Sequence, residues 1–215
     1  KDEHSKETVK IDRFIHRDAK DFLNINVFDR EKTDWNKTCQ RWKDQWPVCP
    51  DTNPTEKVDL YYFMKVLNDR KRIDDVVISD AGSAFYVCSQ ATNIEAQQRY
   101  ITSSSQAEMG FTIPACIGAS FAKGGEVIGV TGDGSFMMNL QELQTIKHYN
   151  LPIKLFVWNN DGYLSIRTTQ KKFFEGREIG TDESSGVSIP NIKYVVKSFG
   201  IEYVRADVDC LEGSI

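Results

Sequence analysis

Val127-Ile128-Gly129-Val130-Thr131-Gly132-Asp133-Gly134-Ser135-Phe136 decides the fold: a β-branched apolar run enters two glycines around an aspartate, and a helical pattern leaves them. Phe136, Leu140, Leu143 and Ile146 recur at helical spacing until Pro152 ends the pattern. Ile153-Lys154-Leu155-Phe156-Val157-Trp158 then reads as a second strand, which carries Asn159-Asn160-Asp161-Gly162 out at its carboxyl end. A right-handed strand, helix, strand unit sets both strand ends on one edge of a parallel sheet, where open α/β sheets bind ligands. The expected class is therefore α/β, a doubly wound, mostly parallel sheet with helices on both faces.

The residues gathered at that edge suit a divalent cation and a diphosphate. Asp133 offers a carboxylate, Asn160 an amide oxygen and Gly162 a main-chain carbonyl, the hard-oxygen ligands that magnesium prefers. Gly132, Gly134 and Ser135 open a helix whose unpaired amides attract phosphate. Asp-Gly and Asn-Asp-Gly are also ordinary turn sequences, so neither half is specific alone. Their conjunction, each at a strand end with one helix between, carries the reading. A dinucleotide-binding turn needs a third glycine that Gly132 to Met137 lacks, and the Gly-Lys-Ser/Thr ending of a phosphate-binding P-loop is missing as well.

These segments resemble the GDG…NN motif of thiamine diphosphate enzymes, and most of the chain is similar to acetohydroxyacid (acetolactate) synthases. The likeness runs through Ser103-Ser104-Ser105, Met109-Gly110-Phe111, Ile113 to Ala119, the GDGSFMMNLQEL run, Leu151 to Lys154 and Asn159-Asn160. It implies that Asp133, Asn160 and the Gly162 carbonyl hold Mg2+ and that Gly134 and Ser135 contact the diphosphate. It further implies that Met109 wedges beneath the cofactor and bends it, while the carbonyl of Ala107 orients the pyrimidine amino group; relatives commonly carry glycine at 107. The loop Ala81-Gly82-Ser83, after the apolar run Val76-Val77-Ile78-Ser79, approaches the diphosphate in relatives and is a secondary cofactor candidate. Apart from the likeness, Met109 is an ordinary core filler and Asp80 with Gly82 an ordinary turn.

With 215 residues, 40% hydrophobic and 27% charged, the chain can bury a sizeable core. No apolar run is long enough to span a bilayer and no signal peptide opens the sequence, so cytoplasmic residence is the default expectation. The net charge of −4 comes without a basic stripe, which argues against nucleic acid. Five cysteines lack metal or disulfide spacing and read as reduced thiols. Three of the six prolines gather at Trp46 to Pro54. The expected organisation is a preceding domain's tail and helical arm over 1–46, a linker over 47–58, and the diphosphate-binding domain over 59–215. Before the linker, Val9 to Ile11 is expected as a strand and Ala19 to Asn26 and Trp35 to Trp46 as helices; after it, Asp59 to Arg70 is expected as a helix, and strand and helix alternate on through Tyr194 to Phe199 and Glu202 to Ala206.

The sequence starts without methionine and stops soon after that last expected strand, which reads as a piece of a longer protein, truncated at its carboxyl end. The resemblance implies a pyrimidine-binding domain with an activating glutamate and a middle domain that binds FAD in some relatives, neither present here, so no catalytic residue is assigned and the piece alone is expected to be inactive. The whole enzyme is expected to be a homodimer or homotetramer that decarboxylates a 2-oxo acid such as pyruvate and transfers the remaining unit to a small-molecule acceptor. Release to a proton (a decarboxylase) or transfer to a keto sugar are the alternatives, and a non-catalytic cofactor-binding or assembly module is the alternative of another class. Synthases carry tryptophan where this chain has Thr169, which leaves the acceptor open. Arg167 is read either as an acceptor-binding group or as a surface arginine.

Overall fold

The computed structural model describes residues 10–24, 33–95 and 97–215, and the chain divides into two units, 1–46 and 47–215. In the first, Asp18 caps a short helix α1 (Ala19–Leu23) by accepting from Lys20 N. The helix ends at Leu23, before the expected Asn26, which lies outside the described residues together with Val9. Lys10 and Ile11 are exposed and form no strand. Helix α2 (Thr33–Gln45) takes up the arm, with Trp35 and Trp42 packed edge to face at 5.5 Å.

In the second unit, Asp59 caps α3 (Leu60–Arg70) by accepting from Tyr61 N and Tyr62 N at 2.9 and 3.0 Å. The chain then alternates: β1 (Val76–Ser79), α4 (Gly82–Ala91), β2 (Arg99–Thr102), α5 (Thr112–Lys123), β3 (Val127–Gly132), α6 (Asp133–Met138), α7 (Leu143–Tyr149), β4 (Ile153–Trp158) and α8 (Leu164–Phe173). Two further helices follow, α9 (Ile192–Ser198) and α10 (Leu211–Ser214). The four strands are parallel in the order β2-β1-β3-β4. That order reverses between β1 and β3, and ligands of doubly wound sheets bind at the carboxyl ends beside such a switch.

Strand period two splits the core into layers. Val77, Ile128, Val130 and Trp158 face α3, α4 and Leu211 of α10, with Phe63 edge-on to Trp158 at 5.4 Å. Val76, Ile78 and Val127 meet α5 on the other face, where Ile153, Leu155 and Val157 also join Ile113, Phe136, Leu143, Ile146 and Val196. Both faces of every central strand are thus covered, which explains why β1 and β3 read as unbroken apolar runs. Phe136 is wholly buried, and trimming it to alanine would cost about 3–5 kcal/mol.

Two expectations change in the second unit. The helix read through Phe136 to Ile146 is broken into α6, a 3-10 turn at Leu140–Glu142, and α7. At the break Asn139 adopts φ −135°, and its amide donates to the Gly110 carbonyl at 2.9 Å, so a side-chain bond replaces helix propagation. The apolar period survives because the 3-10 turn keeps all four residues on the core. Glu202 to Ala206, expected as a strand, joins no ladder among the described residues: Tyr203 packs on the second core layer, but Val204 is 63% exposed and the sheet is completed by other segments.

Candidate functional site

The loops leaving β1, β3 and β4 close around a cleft of about 100 Å³ at the carboxyl ends of the strands. Of the sequence candidates, Ala81, Gly82, Ser83, Met109, Gly132, Asp133, Gly134, Ser135, Asn160 and Gly162 line it together. Ala107 does not. It sits at the end of a 3-10 turn in the left-handed region, φ 49° and ψ 47°, where glycine is the unstrained residue.

Asp133 ties the two halves of the motif. It is 1% exposed; Oδ1 accepts from its neighbour Gly134 N at 2.7 Å, and Oδ2 accepts from Asn160 N and Gly162 N, each at 3.0 Å. Three amide donors use most of a carboxylate's roughly four acceptor directions and leave room for a cation. Asn160 Oδ1 is buried without a partner, and so is Trp158 Nε1 on the same wall. An unpaired buried polar atom costs about 1–3 kcal/mol, so such atoms point to a missing partner. Among the described residues no three His, Cys, Asp or Glu side chains gather as metal ligands.

Two glycines shape the floor. A side chain at Gly134 would begin 2.4 Å from the Tyr163 ring and 3.3 Å from Met109 Cε, so only hydrogen fits between them. Gly162 has φ +126°, and a Cβ there would lie 2.2 Å from the Thr181 carbonyl. Both positions exclude other residues for reasons of space, and Gly162 for backbone conformation as well.

Above β1, Asp80 is fully buried and staples the switch point: its Oδ2 accepts from Thr131 Oγ1 of β3 at 2.8 Å, and Oδ1 from Ala81 N at 2.7 Å. Burial pushes the Asp80 carboxyl above its usual range, with the donors from Ala81, Thr131 and Thr112 pulling back. Read from sequence as part of a turn, Asp80 instead joins the two strands that flank the cleft.

The cleft also includes Ala84, Trp158, Tyr163, Leu164, Ser165 and Ile166. Their position directly after Asn159-Asn160 was the available signal for the last four. Thr169 is exposed and spends its hydroxyl on the Ser165 carbonyl, outside the cleft lining. Arg167 is neither a cleft residue nor a surface one: its side chain is 19% exposed and its guanidinium turns to Asp182 and the Asn160 carbonyl. The surface expectation overlooked that the segment after α8 folds back over this helix.

The family model for the thiamine pyrophosphate enzyme C-terminal TPP binding domain matches residues 80–213, well over half of the chain. The chain belongs to the thiamine pyrophosphate enzymes. Within that family it is similar to the acetolactate synthase isozyme 2 large subunit of Escherichia coli (strain K12), at 34% identity over 78% of this chain and 30% of that protein. The acetolactate synthase large subunit of Cyanidium caldarium is 32% identical over 84% of this chain and 30% of its own length. That of Lactococcus lactis subsp. lactis (strain IL1403) is 29% identical over 86% and 32%. The chain thus spans about a third of the curated relatives it matches, and it is an acetolactate synthase-like, thiamine diphosphate-binding domain. The matched region starts at Asp80 and takes in every loop of the cleft.

Proposed function

We propose that the cleft holds the diphosphate end of thiamine diphosphate through Mg2+, as part of a whole enzyme that decarboxylates a 2-oxo acid and joins the product to an acceptor. The carrying observation is the buried, unpartnered Asn160 Oδ1 on a turn whose own amide is held by the Asp133 carboxylate. Asp133, Asn160 Oδ1 and the Gly162 carbonyl would take the cation; Ala81, Gly82, Ser83, Gly132, Gly134 and Ser135 would line the diphosphate. When bound, thiamine diphosphate supplies an electron sink for loss of carbon dioxide from the 2-oxo acid.

The chain's own residues orient and enclose. Asp133 draws the β3 and β4 loops together, so one carboxylate shapes the turn and would also help to hold the cation. Met109 and Tyr163 both pack against Gly134 and leave no space for a side chain there. Ala107 is assigned the pyrimidine side, through its carbonyl. The catalytic acid is placed on another part of the whole protein, as are any FAD and the contacts of a dimer or tetramer. Residues 1–46 are read as the tail of a preceding domain and 47–58 as the linker. Among the described residues no helix is long and apolar enough to cross a membrane.

Calorimetric titration of the full-length protein with thiamine diphosphate tests the site: binding should require Mg2+, and Asp133→Ala should remove it while the protein stays folded. Unchanged affinity in that variant would overturn the ligand assignment. Product analysis with pyruvate and a panel of acceptors then separates acetolactate, acetaldehyde and a branched sugar; absence of any turnover despite cofactor binding would favour a non-catalytic module.

A further inference from the structure

Behind the cleft, the segment at Thr181 and Asp182 leans on the Asn160–Tyr163 turn. Tyr163 N donates to the wholly buried Thr181's carbonyl at 2.8 Å, and the same carbonyl closes the space beside Gly162. Arg167 joins the two segments: Nη2 donates to the Asn160 carbonyl at 3.4 Å, and Nη1 lies 3.5 Å from Asp182 Oδ2. Both side chains are about four-fifths buried, at 19% and 20% exposure. Asp182 is itself anchored, its Oδ1 accepting from Ser184 Oγ, Ser185 Oγ and Ser185 N. Asn160 is therefore gripped at both main-chain polar atoms, its N–H by Asp133 from inside the cleft and its carbonyl by Arg167 from behind. Its side-chain oxygen is buried without a partner, as is Arg167 Nε, the guanidinium nitrogen that neither contact uses.

We propose that Arg167 and Asp182 are a positioning pair that holds the Asn160–Gly162 turn in the shape required for a divalent cation, so that cation affinity depends on an ion pair outside the cleft. The inference rests on the Mg2+ and diphosphate reading above. A guanidinium is needed because its fork addresses a carboxylate and a carbonyl from different nitrogens, whereas a lysine ammonium is a single compact point. Groups behind a metal ligand commonly set its affinity in this way.

The test is a Mg2+ titration of the full-length protein at fixed thiamine diphosphate, with bound cofactor read by calorimetry and Tm recorded alongside. Arg167→Gln and Asp182→Asn should each raise the Mg2+ midpoint about tenfold, and the double variant no further, because both remove one link. Arg167→Lys should keep Tm within about 3 °C of wild type yet still raise the midpoint, a split that a merely structural ion pair would not give. If Asp133→Ala abolishes Mg2+-dependent binding while these variants, including the folded Arg167→Lys, keep the wild-type midpoint, the pair has no positioning role. If Asp133→Ala itself binds like wild type, the ligand reading fails and the positioning role falls with it.

Discussion

The two ends of the one sheet are built on opposite principles. At the amino ends of the strands, Arg72 pairs with Asp75 at 3.0 Å and with Glu126 at 2.8 Å, Lys123 with Asp74 at 3.2 Å, and Lys154 reaches Glu126 at 3.7 Å. Arg72, Asp75, Glu126 and Lys154 line a hollow of about 140 Å³, comparable in size to the cleft, in which charges of both signs already answer one another. At the carboxyl ends, Asn160 Oδ1 and Trp158 Nε1 are buried with no partner. Size does not separate the two hollows; among the described residues, only the cleft has buried polar atoms without partners on its lining residues. The amino end joins strands, while the carboxyl end keeps capacity open for a ligand.

The largest break in that contrast is Gly162→Ala. With φ +126° and a backbone oxygen 2.2 Å from the new Cβ, the turn must move, at a strain on the order of 3 kcal/mol. Thermal unfolding should register the loss and calorimetry should find cofactor binding gone. Asp75→Ala at the other end should cost about 2 kcal/mol, because this 2%-exposed carboxylate accepts from Arg72 N, Nε and Nη2. Cofactor affinity in the full-length protein should not change; if it does, the two ends are coupled.

Acid titration of stability contrasts two carboxyl groups, one at each end, that are shifted in opposite directions. The Lys123 ammonium bonded to Asp74 holds that carboxyl below its usual range, so its contribution is present above about pH 4 and lost as pH falls through the lowered value. Burial holds Asp80 above the range, so its ionisation lowers stability as pH rises from about 4 to the raised value. Denaturant melts should show Asp74→Asn flattening the rise of stability with pH and Asp80→Asn flattening the fall. The smallest effect belongs to Ala107→Gly, which relieves a left-handed alanine and should stabilise the protein by about 0.5–1 kcal/mol.

What the sequence made legible was local. Val127 to Gly132 and Ile153 to Trp158 announce themselves as strands because covered sheet faces call for runs rich in β-branched and aromatic residues, interrupted only by Lys154 near the start of the second. Asn159 to Gly162 follows directly, so the loops that meet at Asp133 could be named before their contact was known. The remainder depended on distant partners. Asn139 breaks the helix only because Gly110 lies within reach of its amide. Arg167 looks like one more charged residue on an exposed helix until Asp182, fifteen positions later, folds back to it. Asp80 reads as a turn former until Thr131 of a non-sequential strand supplies its hydroxyl. Short range pattern carries strands and motif; the supports behind the motif are set by tertiary return of the chain.

The central claim concerns one cation. A crystal structure of the full-length protein with Mn2+ in place of Mg2+ and thiamine diphosphate, phased for the anomalous signal of the metal, addresses it directly. A metal peak is expected about 2.0–2.3 Å from Asp133, Asn160 Oδ1 and the Gly162 carbonyl, with diphosphate oxygens completing an octahedron. A metal bound elsewhere, or Asn160 Oδ1 turned away from it, would contradict the account.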